Sequence, residues 1–350
     1  MLNYVVAIGA ISLLIALHEF GHLVVARLTG MRVERYSIGF GPVLLRFHLG
    51  ETEYCLSAVP IGGYVRIAGM LPGEAEEGGP DPRAFNHRPA WQRLLVVAAG
   101  PLTNEVLAAA LVYAVAIAGM PYTKVAAVGE VVPGSAAAQA GLRPGDLVQR
   151  VDEEPVSSFQ DLVTAVHSHP GETVVLDVAR DGGTLRLSVK LGTPPLLGVA
   201  APLRRYGPLE AVPAALAWTG RQTVGMVTGL VDVLRHPKGA QIEGPLGTVQ
   251  VAVQQSERGW QSLVFTLALI SLALAVFNIL PWPALDGGRL FFLLYELVAR
   301  RPVNQRVETF VHAMGFLLLL GLIALVTVGD IHRLGGRTAA PPPATAPDGG

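Results

Sequence analysis

The chain has 350 residues, of which 51% are hydrophobic and only 15% charged, and its formal net charge is −1. A mean hydropathy of +0.45 is too high for an ordinary soluble protein, and the balanced charge provides no basic field for nucleic acid. A single cysteine, Cys55, excludes an intramolecular disulfide and CxxC-type metal sites.

Four segments approach the roughly 20 apolar residues that a membrane-spanning helix needs: Tyr4–Leu28, Leu94–Met120, Leu263–Leu280 and Val311–Val328. The first lacks a basic leader and is too long for a signal-peptide core. Lys and Arg flank the spans unevenly. Arg27, Arg32, Arg35, Arg83, Arg88, Arg93, Arg289, Arg300, Arg301 and Arg306 fall on one side, against Lys124, Arg258, Arg333 and Arg337 on the other. The positive-inside rule makes the first side cytoplasmic and puts both termini and residues 121–262 outside.

Between the first two spans, "SIGFGPVLLRFHLGETEYCLSAVPIGGYVRIAG" predicts short strands and hairpins. Such backbone reaches membrane depth only where protein buries it or it lines a cavity. Residues 72–83 read as a polar, acidic loop. Residues 124–192 read as a small α+β domain. Ser135 caps a helix closed by Gly141, a second helix stops at Pro170-Gly171, and a hairpin turns at Asp181-Gly182-Gly183. Residues 208–236 read as membrane-surface helices rather than a fifth span, and the Pro-rich end as a disordered tail. The expected organisation is 1–120, two spans with a β-rich loop; 121–200, the inserted domain; 201–260, an amphipathic surface segment; 261–330, two further spans; and 331–350, the tail.

The polar groups inside the first span carry the chemistry. In "ALHEFGHLVVA", His18 and His22 lie four apart, on one helix face, and can share a zinc ion. Glu19 need not be a ligand and is placed to exchange a proton with water and then with a leaving amine. Three such groups inside hydrocarbon are costly unless metal, water or substrate satisfies them. An open tetrahedral site needs a third protein ligand. Nearby candidates are Glu34, His48, Glu51 and Glu53, none on an evident helix facing back. Asp286, in "FNILPWPALDGGRLFF", is a candidate ligand approaching from a distant segment, although taken alone it reads first as the cap of the helix starting near Gly288.

HExxH in the first span together with NxxPxPxLDG at the third resembles the site-2 protease family of intramembrane zinc metalloproteases. "GFGP", "PIGGYV" and "AGPLTN" resemble further signatures of that family, and "GLRPGD" resembles a PDZ domain. The likeness spans roughly residues 1–330 and is strongest to the bacterial regulator-of-sigma-E type, here with one PDZ-like domain. It implies a polytopic α-helical membrane protein of about four spans with a membrane-associated β-hairpin loop and an inserted α+β PDZ-like domain. Zn2+ would be held by His18, His22 and Asp286, with Glu19 as general base and Asn278 touching substrate; an unwound substrate could also pair with a strand edge from residues 37–66, where Gly62 and Gly63 would permit close approach. Asn278 reads equally as an interhelical hydrogen bond, Gly62 and Gly63 as a turn, and Asn104 first as a packing residue. The implied activity is zinc-dependent hydrolysis within transmembrane segments of pre-trimmed proteins, such as anti-sigma factors or remnant signal peptides, in the inner or plasma membrane. The PDZ-like domain would be extracytoplasmic, the active site toward the cytoplasm. The competing reading, a non-catalytic PDZ-bearing membrane scaffold, predicts loss of at least one of His18, Glu19, His22 or Asp286, and all four are present.

Overall fold

A computed structural model describes residues 1–70, 81–236, 244–301 and 303–338; most of the expected acidic loop lies outside them. In chain order the elements are α1 (Leu2–Leu28), β1 (Val33–Leu49), β2 (Thr52–Ile67), α2 (Ala90–Ala118), β3 (Met120–Pro121), β4 (Glu130–Val131), α3 (Ala136–Gln139), β5 (Leu147–Val151), β6 (Glu154–Pro155), α4 (Phe159–His167), β7 (Thr173–Arg180), β8 (Gly183–Lys190), β9 (Val199–Ala200) and β10 (Leu203–Arg204). They continue with α5 (Pro208–Arg235), α6 (Pro245–Glu257), α7 (Trp260–Ile279), α8 (Asp286–Ala299) and α9 (Gln305–Thr338). The chain divides into two units, Met1–Val112 with Ala215–Gly350, and Tyr113–Ala214.

Among the described residues, four helices are long and apolar enough to cross a membrane: α1, α2, α7 and the Arg306–Ile331 stretch of α9. They match the four apolar segments of the sequence. Each starts earlier than expected, α2 and α7 stop two residues and one residue short, and α9 runs on through Thr338, past the expected start of the tail. Residues 208–235 form one continuous helix rather than several, and it is not among the four.

β1 and β2 are a longer and more folded hairpin than the sequence predicts. Residues 35–38 pair antiparallel with 63–66 on one side. On the other side the partners Glu53 to Leu56 rise in step with Arg35 to Ile38, while Leu45–Leu49 pair antiparallel with Thr52–Leu56. The hairpin is therefore bent double into four segments, ordered 45–49, 52–56, 35–38 and 63–67, which leaves 63–67 as an edge. Register shifts around Phe40 and Val43 mark the bend. The sheet docks on α1 through Tyr36, whose hydroxyl donates to the Ala16 carbonyl at 2.7 Å, and through Ser12, whose hydroxyl donates to Pro60 O. Leu23, Val33, Ile67, Val96, Val97 and Leu293 form the shared core of α1, the sheet, α2 and α8. Glu296 of α8 pairs with Arg93 of α2.

The Tyr113–Ala214 unit is built on the sheet β6-β5-β7-β8. In β7, Val174, Leu176 and Val178 are fully buried and their neighbours face outward, the period-two pattern of a half-buried strand. β7 and β8 meet at the turn expected from sequence, with Asp181 and Gly182 both at positive φ. Ser135 and Ser158 cap α3 and α4, and Asp161 completes a capping box on α4.

Candidate metal centre

The centre begins with a close helix approach. Gly21 on α1 has no room for a side chain: a Cβ there would overlap Thr103 Oγ1 and lie 2.6 Å from the Ala99 carbonyl. Small residues at a helix contact let backbones come together in this way. The approach sets Gly100 and Asn104 of α2 against His18 and His22 of α1, both histidines being buried.

The third side comes from the segment between α7 and α8. Pro281 and Pro283 stop α7 from continuing. Gly287 then packs so closely that a Cβ would overlap the Leu280 carbonyl, and one on Gly288 would be 2.5 Å from Trp282 O. This tight turn makes Asp286 the first residue of α8. The N-cap position is held by Leu285, not by Asp286. The Asp286 carboxylate lies instead with Oδ2 3.0 Å from His18 Nε2 and 3.3 Å from His22 Nε2, while the two Nε2 atoms are 3.3 Å apart. The capping reading of Asp286 is thus set aside by tertiary geometry.

These three atoms suit a zinc ion. Ligands at about 2.0–2.1 Å in a tetrahedral site lie about 3.3 Å from one another, close to the spacings found. His22 Nδ1–H donates to the Val96 carbonyl at 2.7 Å, which leaves the Nε2 lone pair free toward the centre. His18 Nδ1 faces the Asn104 side-chain amide, with Nδ2 at 3.2 Å. Asn104 Oδ1 is buried without a partner. Turning the amide over pairs that oxygen with a His18 Nδ1–H and leaves the second Nε2 free as well. Gly100 completes the cradle, since a Cβ there would overlap His22 Nε2 and lie 2.6 Å from His18 Nε2.

Glu19 also has donor atoms within 4.8 Å of the two histidines. Its carboxylate does not close the triangle; it accepts the Val65 backbone N–H at 3.1 Å, from the edge segment of the sheet. Glu34, Glu51 and Glu53 are taken up elsewhere, by arginines: Arg32 and Arg66, Arg83, and Arg35 respectively.

The sequence of peptidase family M50 matches residues 6–322. The chain belongs to peptidase family M50, the site-2 protease family. A Clostridium perfringens protein named "Putative zinc metalloprotease" is 32% identical over 93% of this chain and 97% of its own length. The regulator of sigma-W protease of Bacillus subtilis is 29% identical over 92% and 96%, and the regulator of sigma-E protease of Salmonella typhimurium 29% over 95% and 99%. This M50 member is a zinc metalloprotease with Zn2+ as its cofactor and membrane-spanning helices.

The remaining expected residues sit apart from the triangle. Asn278 Nδ2 donates to Leu274 O in its own helix at 2.9 Å. Gly62, at φ +92°, lies under the Phe40 ring, and a Cβ on Gly63 would be 2.7 Å from Ser37 O. Gly63 is two residues from Val65 and so borders the Glu19 contact. Asn104 does pack spans together, its carbonyl accepting the Ser271 hydroxyl of α7 at 2.8 Å. Its second contact, with His18, was not expected from the sequence. The spacing could have signalled it, because Gly100 and Asn104 repeat the four-residue interval of His18 and His22.

Proposed function

We propose that this M50 protease is an intramembrane endopeptidase, with His18, His22 and Asp286 holding the zinc and Glu19 acting as general base. The observation that carries the proposal is the metal-sized triangle of His18, His22 and Asp286 with the Glu19 carboxylate beside it, the histidines and Glu19 lying on α1, a helix apolar enough to cross a bilayer. A zinc ion bound there supplies Lewis acidity to the scissile carbonyl and lowers the pKa of an attacking water toward about 7.

Glu19 takes the proton of that water on its carboxylate and passes it to the leaving nitrogen. The Val65 N–H holds the carboxylate in place meanwhile, so Glu19 is oriented without being a ligand. A transmembrane substrate hides its carbonyls in i to i−4 bonds and must unwind before it is cut. The edge segment 63–67 offers the unwound stretch a strand to pair with, directly beside Glu19. Gly62 and Gly63, at the start of that edge, permit close approach of the substrate, and Asn278 at the end of α7 contacts substrate backbone.

The substrates are pre-trimmed membrane proteins of the anti-sigma-factor or remnant-signal-peptide class, in line with the sigma regulators named among the relatives. Residues 121–200 are a PDZ-like extracytoplasmic domain that obstructs untrimmed ectodomains, and the arginine bias places the active site toward the cytoplasmic side of the inner or plasma membrane. Residues 201–260 lie along the membrane surface. The test is Glu19→Gln: zinc content should stay at wild-type level while cleavage of a transmembrane peptide is lost. Near-normal cleavage by the inserted, zinc-loaded variant would overturn the proposal.

A further inference from the structure

α9 contributes no atom to the triangle, yet it grips the turn that carries Asp286. Ala284, two residues before Asp286, has φ +82°, a region that a residue with a Cβ enters only under constraint. Of the other non-glycine residues described at positive φ, Asp152 and Asp181 have short polar side chains suited to it, and Arg300 ends a helix. Ala284 has neither excuse. Its N–H donates to Nδ1 of His312 on α9 at 3.0 Å. One turn further along α9, Gly315 lets the helix close on the preceding residue: a Cβ there would overlap Pro283 Cβ and lie 2.5 Å from Pro283 O.

The histidine's other nitrogen sharpens the point. Accepting from Ala284 puts the ring proton on Nε2, which is buried without a hydrogen-bond partner. Packing against Phe292, whose ring centroid is 5.6 Å away, needs only a ring, not a polar one. An unpaired ring nitrogen within an apolar helix is unfavourable, and the one polar service this ring performs is to hold the Ala284 N–H.

We propose that His312 is a positioning residue that locks Ala284 in its left-handed conformation and thereby sets the reach of the Asp286 carboxylate toward His18 and His22. This rests on Asp286 being a zinc ligand. If Ala284 relaxed to an ordinary backbone conformation, the chain would be redirected just before Asp286 while the histidines on α1 stayed in place.

The test uses the full chain in lipid nanodiscs, with zinc affinity measured by chelator competition and the visible spectrum of the cobalt-substituted protein as a report on ligand geometry. His312→Phe keeps the ring and loses the acceptor. It should weaken metal binding about 10–100-fold, the usual effect of removing a partner of a metal ligand, and alter the cobalt spectrum. His312→Asn, whose Oδ1 can take the place of Nδ1, should bind as wild type. Ala284→Gly, at home in the left-handed region, should restore affinity to His312→Phe. Wild-type affinity in His312→Phe, or equal loss in the Asn and Phe variants, would overturn the inference. If the Phe variant does not accumulate in membranes, His312→Leu enters the same comparison with the same deciding outcomes. Asp286→Ala separates the two levels: wild-type metal affinity there defeats the ligand assignment itself, whereas metal loss there beside an unaffected His312→Phe defeats only the role of His312.

Discussion

Gly100→Ala tests the centre with a single methyl group. The added Cβ would lie 2.5 Å from His22 Cε1 and 2.6 Å from His18 Nε2, and closer still to His22 Nε2. Ordinary carbon contacts are about 3.5–4.0 Å, so the shortfall is about 1 Å. Neither ring can retreat freely, because His22 is tied to the Val96 carbonyl and His18 to Asn104. Moving α2 away from α1 would instead open the tight contact at Gly21. Ligand distances must hold within about 0.2 Å for a zinc site, and a 1 Å misplacement of catalytic groups can cost about 100-fold. The expected loss is therefore about 100-fold in cleavage of a transmembrane peptide, equivalent to about 2.7 kcal/mol, together with loss of zinc after dialysis against a chelator. Gly9→Ala on α1 is the control, since a Cβ there meets nothing within 4 Å, and it should leave both readouts unchanged. Full zinc content with less than about a tenfold fall in cleavage, or 1.4 kcal/mol, would refute the reasoning.

Glu19→Gln should keep zinc and lose about 10²–10⁴-fold in hydrolysis, the contribution typical of general acid–base groups, whereas His22→Ala should lose both; zinc analysis beside a peptide-cleavage assay separates the two. Asn104→Leu removes the polar partner of His18 and should lower zinc affinity about 10–100-fold, while Asn104→Asp, which retains an acceptor, should lose less; equal losses in chelator competition would reduce Asn104 to a packing residue. Asp161 is held at about 2, below its ordinary 3.8, by hydrogen bonds from Ser157 and Ser158. A lowered carboxylate stabilises the fold above its unfolded pKa and loses that effect as pH falls; amide protection of α4 should therefore decline between about pH 4 and pH 2 in the wild type, and Asp161→Asn should show no such decline. Cysteines introduced at residues 150–180 should react with an impermeant reagent from outside intact cells, and labelling only from the cytoplasmic side would reverse the proposed topology.

The local chemistry of this chain was legible one segment at a time. Apolar runs marked four helices because a span must be apolar over its whole length. The His18–Glu19–His22 spacing marked a metal-binding face because helical geometry alone puts i and i+4 together. Ser135 and Asp181-Gly182 marked a cap and a turn because those signals act within a few residues. What the sequence left open depended on contacts between distant segments. Taken alone, Asp286 read first as a helix cap, and only the turn folded by Pro281, Pro283, Gly287 and Gly288 carries its carboxylate to histidines 268 and 264 positions away. The hairpin's doubling was invisible because one set of residues, 35–38, serves two partner segments at once. Asn104 stood out only as a packing residue, and nothing in one dimension pointed to its contact with His18, to the space that Gly100 leaves or to His312. The space above the histidines, the acceptor for a ring nitrogen and the grip on Ala284 exist only after α1, α2, α9 and the loop before α8 have packed, because each is a distance between groups on different segments that the covalent order of the chain does not constrain.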